Sequence, residues 1–249
     1  MTCKNCGQEA EAHFCSNCGQ RTTVGKLTAS SLATQLSEGV FQVNMGFFFT
    51  LKELFTRPGH SIREFLAGKR KNHFKPIGYA FLISTIYFLL SQALGTDTVL
   101  NDLVTGFASG GHGEESSASQ IETLNWLANR YSYTILVFLP VYAVASFLAF
   151  KGTGYNIVEH IVLNAYIIGQ QSLIYIVYAV ASYLTGDTER LAFLMIVASI
   201  AYQFFVFWQF FSDRGRLQVL LRSILTYILC VLFLTPFIVG ILWMFSVIE

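Results

Sequence analysis

Between Pro76 and Gly95 the chain reads P-I-G-Y-A-F-L-I-S-T-I-Y-F-L-L-S-Q-A-L-G, a window without a single charge. A helix needs about 20 predominantly apolar residues to cross about 30 Å of hydrocarbon, so this stretch reads as a membrane span. Four more windows follow. Arg130 and Lys151 bracket 131–150, and Glu159 and Asp187 bracket 160–186, where His160 is the one group that could take a charge. Arg190 and Asp213 bracket 191–212, and Arg222 and Glu249 bracket 223–248. A β-barrel would show alternating segments of about 10 residues instead. The fold class is therefore an all-α membrane protein whose five transmembrane helices, at 76–95, 131–150, 160–186, 191–212 and 223–248, form one domain over 76–249.

Composition agrees. Hydrophobic residues make up 53%, charged residues 12%, and the mean hydropathy is +0.51. A soluble domain carries about 25% charged residues, and half that number cannot coat a water-facing surface. An ordinary soluble enzyme, a disordered chain and a collagen-like chain are excluded. The net charge of +1 gives no whole-protein attraction to nucleic acid, but it conceals an asymmetry. Arg57, Arg63, Lys69, Arg70, Lys71, Lys75, Lys151, Arg214, Arg216 and Arg222 fall on one side of the five spans, and Arg130 and Arg190 on the other. The positive-inside rule then predicts a cytoplasmic N-terminus, an external C-terminus at Glu249, and residence in the cytoplasmic (inner) membrane. The connection 96–130, with Asp97, Asp102, Glu114, Glu115 and Glu122 beside a flexible Ser109–Gly113 stretch, suits the outer face. The first 20 residues hold four cysteines and no apolar segment, so no signal peptide is read there and the first span serves as its own insertion signal.

Those cysteines, Cys3, Cys6, Cys15 and Cys18, form C-x2-C-x8-C-x2-C, and each pair closes on a glycine: C-K-N-C-G and C-S-N-C-G. Two tight knuckles that turn their sulfurs toward one point make a tetrahedral thiolate site, and glycine after the second cysteine permits the positive φ of the turn. About 20 residues cannot build a sufficient core, so a metal must supply the folding energy. The expectation is a zinc ribbon over 1–26 that holds structural Zn2+. Disulfides conflict with a reducing cytoplasm, and the eight-residue gap is short for rubredoxin-like iron. Four thiolates leave no open coordination position for catalysis. Lys4, Arg21 and Lys26 against Glu9 and Glu11 make the head only weakly basic, which favours a protein partner over nucleic acid.

Residues 27–75 read as an amphipathic, interfacial juxtamembrane segment. Leu32, Leu36 and Val40 recur at helical spacing, and Phe41 to Leu54 is apolar but interrupted by Lys52 and Glu53, as in a helix lying on the leaflet. Thr56-Arg57-Pro58-Gly59 is expected to stop it, and Ser61-Ile62-Arg63-Glu64 reads as a capping box opening a short helix that ends near Gly68. The basic collar Arg57, Arg63, Lys69, Arg70, Lys71 and Lys75 is then placed to meet anionic lipid headgroups.

The two C-x2-C-G knuckles, followed by G-F-F-F-T-L-K-E-L-F-T-R-P-G-H-S-I-R-E-F-L-A-G-K-R-K-N-H-F-K-P over Gly46–Pro76 and several apolar spans, resemble a bacterial family of zinc-ribbon-headed multipass membrane proteins known as a domain of unknown function. The resemblance covers Cys3–Gln20 and Gly46–Pro76, continues weakly at Glu159-His160, and implies a shared membrane architecture. It brings no activity, substrate or catalytic residue.

Polar residues inside lipid usually face the bundle interior. Glu159, His160, Asn164 and Gln171 on the third span, and Gln203 on the fourth, are the candidates for an intramembrane polar site, either a cavity open at Glu159 and His160 or a set of interhelical hydrogen bonds. No nucleophile elbow, H-E-x-x-H or P-loop accompanies the Glu-His pair, so no catalytic residue is assigned and the chain is not read as an enzyme. The leading expectation is a membrane scaffold or adaptor whose ribbon docks a protein partner. The alternative is a transporter or channel-like, lipid-handling protein with a polar cavity, and an intramembrane enzyme centred on Glu159 and His160 ranks third. The bundle is compatible with an oligomer.

Overall fold

The computed structural model describes residues 1–29, 46–102 and 118–248. The amphipathic pattern at Leu32, Leu36 and Val40 and the Ser109–Gly113 stretch lie outside the described residues. The helices are α1 (Gly46–Thr56), α2 (Pro58–Ala67), α3 (Pro76–Leu94), α4 (Ala118–Ala128), α5 (Tyr131–Ala149), α6 (Ile157–Thr185), α7 (Thr188–Phe210) and α8 (Arg216–Ile248). Among the described residues there is no strand, only two isolated bridges in the head, Thr2 with Glu9 and Phe14 with Arg21. Five helices, α3 and α5 to α8, are long and apolar enough to cross a membrane, as a multipass membrane protein requires.

Helix ends follow local chemistry more closely than the charge-free windows do. α3 begins with Pro76, whose missing N–H is harmless in the first turn, and stops at Gly95, which takes the left-handed conformation with φ 65°. α6 begins at Ile157, three residues before the charge-free window. Asn156 accepts a hydrogen bond from the Glu159 N–H (2.9 Å), and Glu159 accepts one from the Asn156 N–H (2.8 Å), a reciprocal cap. α8 starts at Arg216, so Arg222 lies inside the helix. Its long side chain reaches back to the Lys151 carbonyl at 3.1 Å.

α6 is the hub. Of its most apolar stretch 61% is buried, against 11% for α8, which lies at the periphery with Ile228, Val231 and Leu232 turned outward. The α3–α6 contact is close because residue 169 is glycine: a Cβ there would sit 2.5 Å from Tyr79 Cδ1. Tyr79 and Ile83 of α3, Val162 and Tyr166 of α6, and Val206 and Phe207 of α7 share one core with Leu54 of α1 and Ile62 and Phe65 of α2.

That shared core gives the juxtamembrane segment a protein contact as well. The buried faces of α1 and α2 pack against the bundle itself, and Phe48 and Phe55, at 70% and 58% exposure, remain on the outer side of α1. The stop falls where expected, but the capping box does not form. α1 does end at Thr56, but Pro58 opens α2 immediately as its first residue. Ser61 is therefore inside α2, where its hydroxyl meets His73 Nε2 at 3.0 Å instead of capping. Gly59 lets α2 sit directly against α7: its N–H donates to Gln209 Oε1 (3.1 Å), and a Cβ would collide with the Phe210 backbone nitrogen.

Candidate metal centre and its seat

The four sulfurs of Cys3, Cys6, Cys15 and Cys18 lie within 4.8 Å of one another. Cys3 and Cys18 are 3.6 Å apart, as are Cys6 and Cys15, and none of the cysteines is disulfide-bonded. A tetrahedral ion with metal–sulfur bonds of about 2.3 Å needs sulfurs about 3.8 Å apart, so the donor set fits one ion in a closed site.

The backbone builds each knuckle in the same way. Gly7 N–H donates to the Cys3 carbonyl (2.9 Å) and Gly19 N–H to that of Cys15 (2.8 Å), while Cys3 N–H reaches Gln8 O (2.9 Å) and Cys15 N–H reaches Gln20 O (2.8 Å). Both glycines have positive φ, 76° and 68°. Backbone N–H groups also turn toward the sulfurs. That of Gln8 holds the Cys6 thiol down at about 6, and those of Cys6 and Asn5 lower Cys3. The Gln20 N–H acts the same way on Cys18, but burial and the other three sulfurs outweigh it and push Cys18 up to about 11. Four thiolates this close repel one another, and a bound cation is what allows all of them to ionise.

The head is seated on the collar chiefly through Gln20. Gln20, 6% exposed, donates from Nε2 to the Gly68 carbonyl at 2.8 Å, and its Oε1 accepts from Arg70 N–H (2.9 Å) and Lys71 N–H (3.0 Å). Lys4 lies over Gly68 and donates to the Val24 carbonyl at 2.8 Å. Arg70 donates to the Gly25 and Phe65 carbonyls. Leu27 then plugs the bundle core at 2% exposure. The cysteine spacing does not single out Gln20, and the one sequence signal for it is that C-x-N-C-G-Q occurs twice, twelve residues apart.

The remaining collar cations are largely engaged. Arg57 pairs with Glu53 (2.6 Å) and Glu64 (3.1 Å), Lys69 with Glu64 (3.6 Å), and Arg63 with Asp213 (3.3 Å) and the Ser212 hydroxyl. Lys71 has its ammonium beside Gly19 of the head. Lys75 precedes α3 as its N-cap residue. His73 lies between Phe49 and Phe65, ring centroids 5.2 and 5.7 Å away, and burial holds its imidazole below the ordinary histidine range.

Of the intramembrane candidates, His160 and Asn164 meet at one hydroxyl, and Glu159, Gln171 and Gln203 turn to other partners. His160 Nδ1 meets Ser146 Oγ at 2.9 Å, and Asn164 Nδ2 donates to the same Ser146 oxygen and to the His160 carbonyl, both at 2.8 Å. Gln171 turns to α7 and donates to the Ser199 carbonyl (3.1 Å), and Gln203 of α7 accepts from the Tyr227 hydroxyl of α8 (2.9 Å). Glu159 closes the N-terminus of its own helix. Ser146 and Tyr227 were invisible as partners, since a hydroxyl in an apolar window carries no mark of which helix it faces.

A model of a family described as "Protein of unknown function (DUF3667)" matches residues 44–88. The match takes in α1, α2, the collar and the first part of α3, and leaves the cysteine head outside. No curated protein and no solved structure matches the chain.

Proposed function

We propose that this protein is a membrane scaffold or adaptor of the cytoplasmic (inner) membrane. Its five spans leave the N-terminus in the cytoplasm and the C-terminus outside, and its head is a zinc ribbon that docks a protein partner. Zn2+ would be held by Cys3, Cys6, Cys15 and Cys18 as a structural ion. The collar, from Arg57 to Lys75, meets anionic headgroups, most weakly at Arg57 and Arg63, whose charges are already opposed by carboxylates.

The observation that carries this reading is the Gln20 clamp. A head tied by three hydrogen bonds to the turn after α2 is held in a fixed place at the base of the bundle, which is what a docking platform needs and a tethered regulatory flap does not. The test is affinity purification of the full chain from membranes, with Cys15→Ser as control. The reading expects partners that co-purify with the wild type and are lost in the variant while the bundle keeps its helix content. The same partners on both chains would overturn it.

A second reading, a transporter or channel-like protein, draws on His160 Nε2 and Gln170 Nε2, which are buried without a hydrogen-bond partner among the described residues. Against it, Asn164, Gln171 and Gln203 each bond to a neighbouring helix or its side chains, which is the pattern of interhelical pairing.

A further inference from the structure

We propose that the first knuckle is a second seat of the same kind as the one Gln20 forms, and that it takes the glycine-ended C-terminus of a helix followed by basic residues, contributed by a partner protein. The proposal rests on the reading of the head as a docking platform and specifies the chemistry of what docks.

The argument starts from the repeat. Residues 3–8 read C-K-N-C-G-Q and residues 15–20 read C-S-N-C-G-Q. The fold keeps the same offset of twelve: the Gly7 and Gly19 bonds, the Cys3 and Cys15 bonds, and the bridges Thr2–Glu9 and Phe14–Arg21 all superimpose in register. Gln8 therefore stands on the first knuckle where Gln20 stands on the second.

What Gln20 recognises is generic. α2 ends at Gly68, in the left-handed conformation with φ 114°, and the Gly68 and Lys69 N–H groups fold back onto the Phe65 and Glu64 carbonyls. The turn then leaves the Gly68 carbonyl and the Arg70 and Lys71 N–H groups for an outside partner, and the Gln20 amide takes all three. Any helix ended by a glycine in this way offers the same backbone groups whatever its side chains. Gln8 is exposed, and among the described residues its side-chain amide has no hydrogen bond.

Charge sets the partner's sequence. After Gln20 comes Arg21, and after Gln8 comes Glu9, with Glu11 close behind, all three exposed. The segment clamped on the second knuckle is cationic, Gly68-Lys69-Arg70-Lys71. The first knuckle, with two carboxylates in place of the guanidinium, complements such a segment better than the second does.

The test uses a fluorescent peptide of residues 58–75 of this chain, cross-linked to hold its helix. It is titrated into the full-length, zinc-loaded protein in zwitterionic nanodiscs and read by anisotropy. Cobalt substitution, through its thiolate absorption, checks that each variant keeps its four-sulfur centre. The expected result is saturable binding that weakens about tenfold or more with Gln8→Ala, as loss of several hydrogen bonds implies. Glu9→Lys with Glu11→Lys should weaken it similarly, and a peptide whose Gly68 is replaced by valine should bind worse on the unaltered protein. Binding that ignores Gln8→Ala, or that disappears with Gln20→Ala because the peptide only exchanges with the chain's own collar, overturns the proposal. No binding to the wild type overturns it as well. In that case Cys15-dependent partners in the affinity purification would still stand, so the two readings fail separately.

Discussion

The head and the bundle are stabilised in opposite ways. Residues 1–26 have almost no apolar core: Cys3, Ala10 and Cys15 are the centre of a cluster with Cys18 at its edge. Their shape comes from four sulfurs converging on a point and from backbone turns that place them there. The bundle has no such point. It is held by extended apolar contact, with Tyr79, Tyr166, Phe207 and Phe210 fully buried, and by single hydrogen bonds scattered between helices. A directional bond set fails all at once when one member is lost, while a distributed core loses stability by increments. The two regions should therefore respond independently to damage, except at the seat where Gln20, Lys4 and Arg70 join them.

The strongest break is at the sulfurs. Cys15→Ser, or a chelator, is expected to unfold the head completely, since a structural zinc site can supply about 10–16 kcal/mol. Hydrogen exchange should rise throughout residues 1–26 while circular dichroism of the helices stays unchanged. If the bundle melted with it, the two regions would not be independent. Gly59→Ala is expected to act on the other side of the divide. The added Cβ meets the α7 backbone, at a cost of about 1–3 kcal/mol, visible as a lower melting temperature in micelles with the metal centre's spectrum unaltered.

Gln20→Ala tests the joint itself. Loss of three hydrogen bonds, one of them buried and two partly so, should cost about 1–3 kcal/mol and release an intact head. Spin labels on the head and on α2 should report a broadened distance distribution while the centre still holds its ion. Asn164→Leu should have a smaller effect, about 0.6–1.7 kcal/mol, the range for interhelical hydrogen bonds in membranes. A double-mutant cycle with Ser146→Ala would measure the coupling.

The smallest effect is a pH dependence at the seat. Burial keeps the folded-state pKa of His73 below its unfolded value, with Glu64 and Glu53 nearby raising it and Arg57 lowering it. Above about 6.5 the imidazole is neutral in both states. As pH falls below that, the unfolded chain takes up a proton that the folded chain refuses, so stability is present above the unfolded pKa and declines on acidification, by at most about 1.4 kcal/mol per pH unit. His73→Gln should flatten the melting temperature between pH 7 and 5.

Part of this architecture is legible in the sequence. The five long apolar helices follow from gaps between charges, and the sulfur cluster from its spacing, because both depend on one residue type at a fixed interval. Other features resisted. Ser61 looked like a cap because its spacing to Glu64 is right, but Pro58 is a better first residue and moved the helix start. Glu159 looked like the mouth of a cavity and is taken up by its own helix N-terminus. His160 and Asn164 do meet, through Ser146, a residue with no distinguishing signal.

Solvent preference is additive along the chain, so a count of apolar and charged side chains is enough to say which segments can enter lipid and which cannot. Pairing is not additive. Whether Gln171 faces α5 or α7, whether Arg57 reaches a headgroup or Glu53, and whether Gln20 or Gln8 finds a turn to hold depend on which surfaces the helices bring within about 3 Å of each other. That distance is set jointly by distant residues such as Gly59 and Gly169, and only the packed molecule contains it.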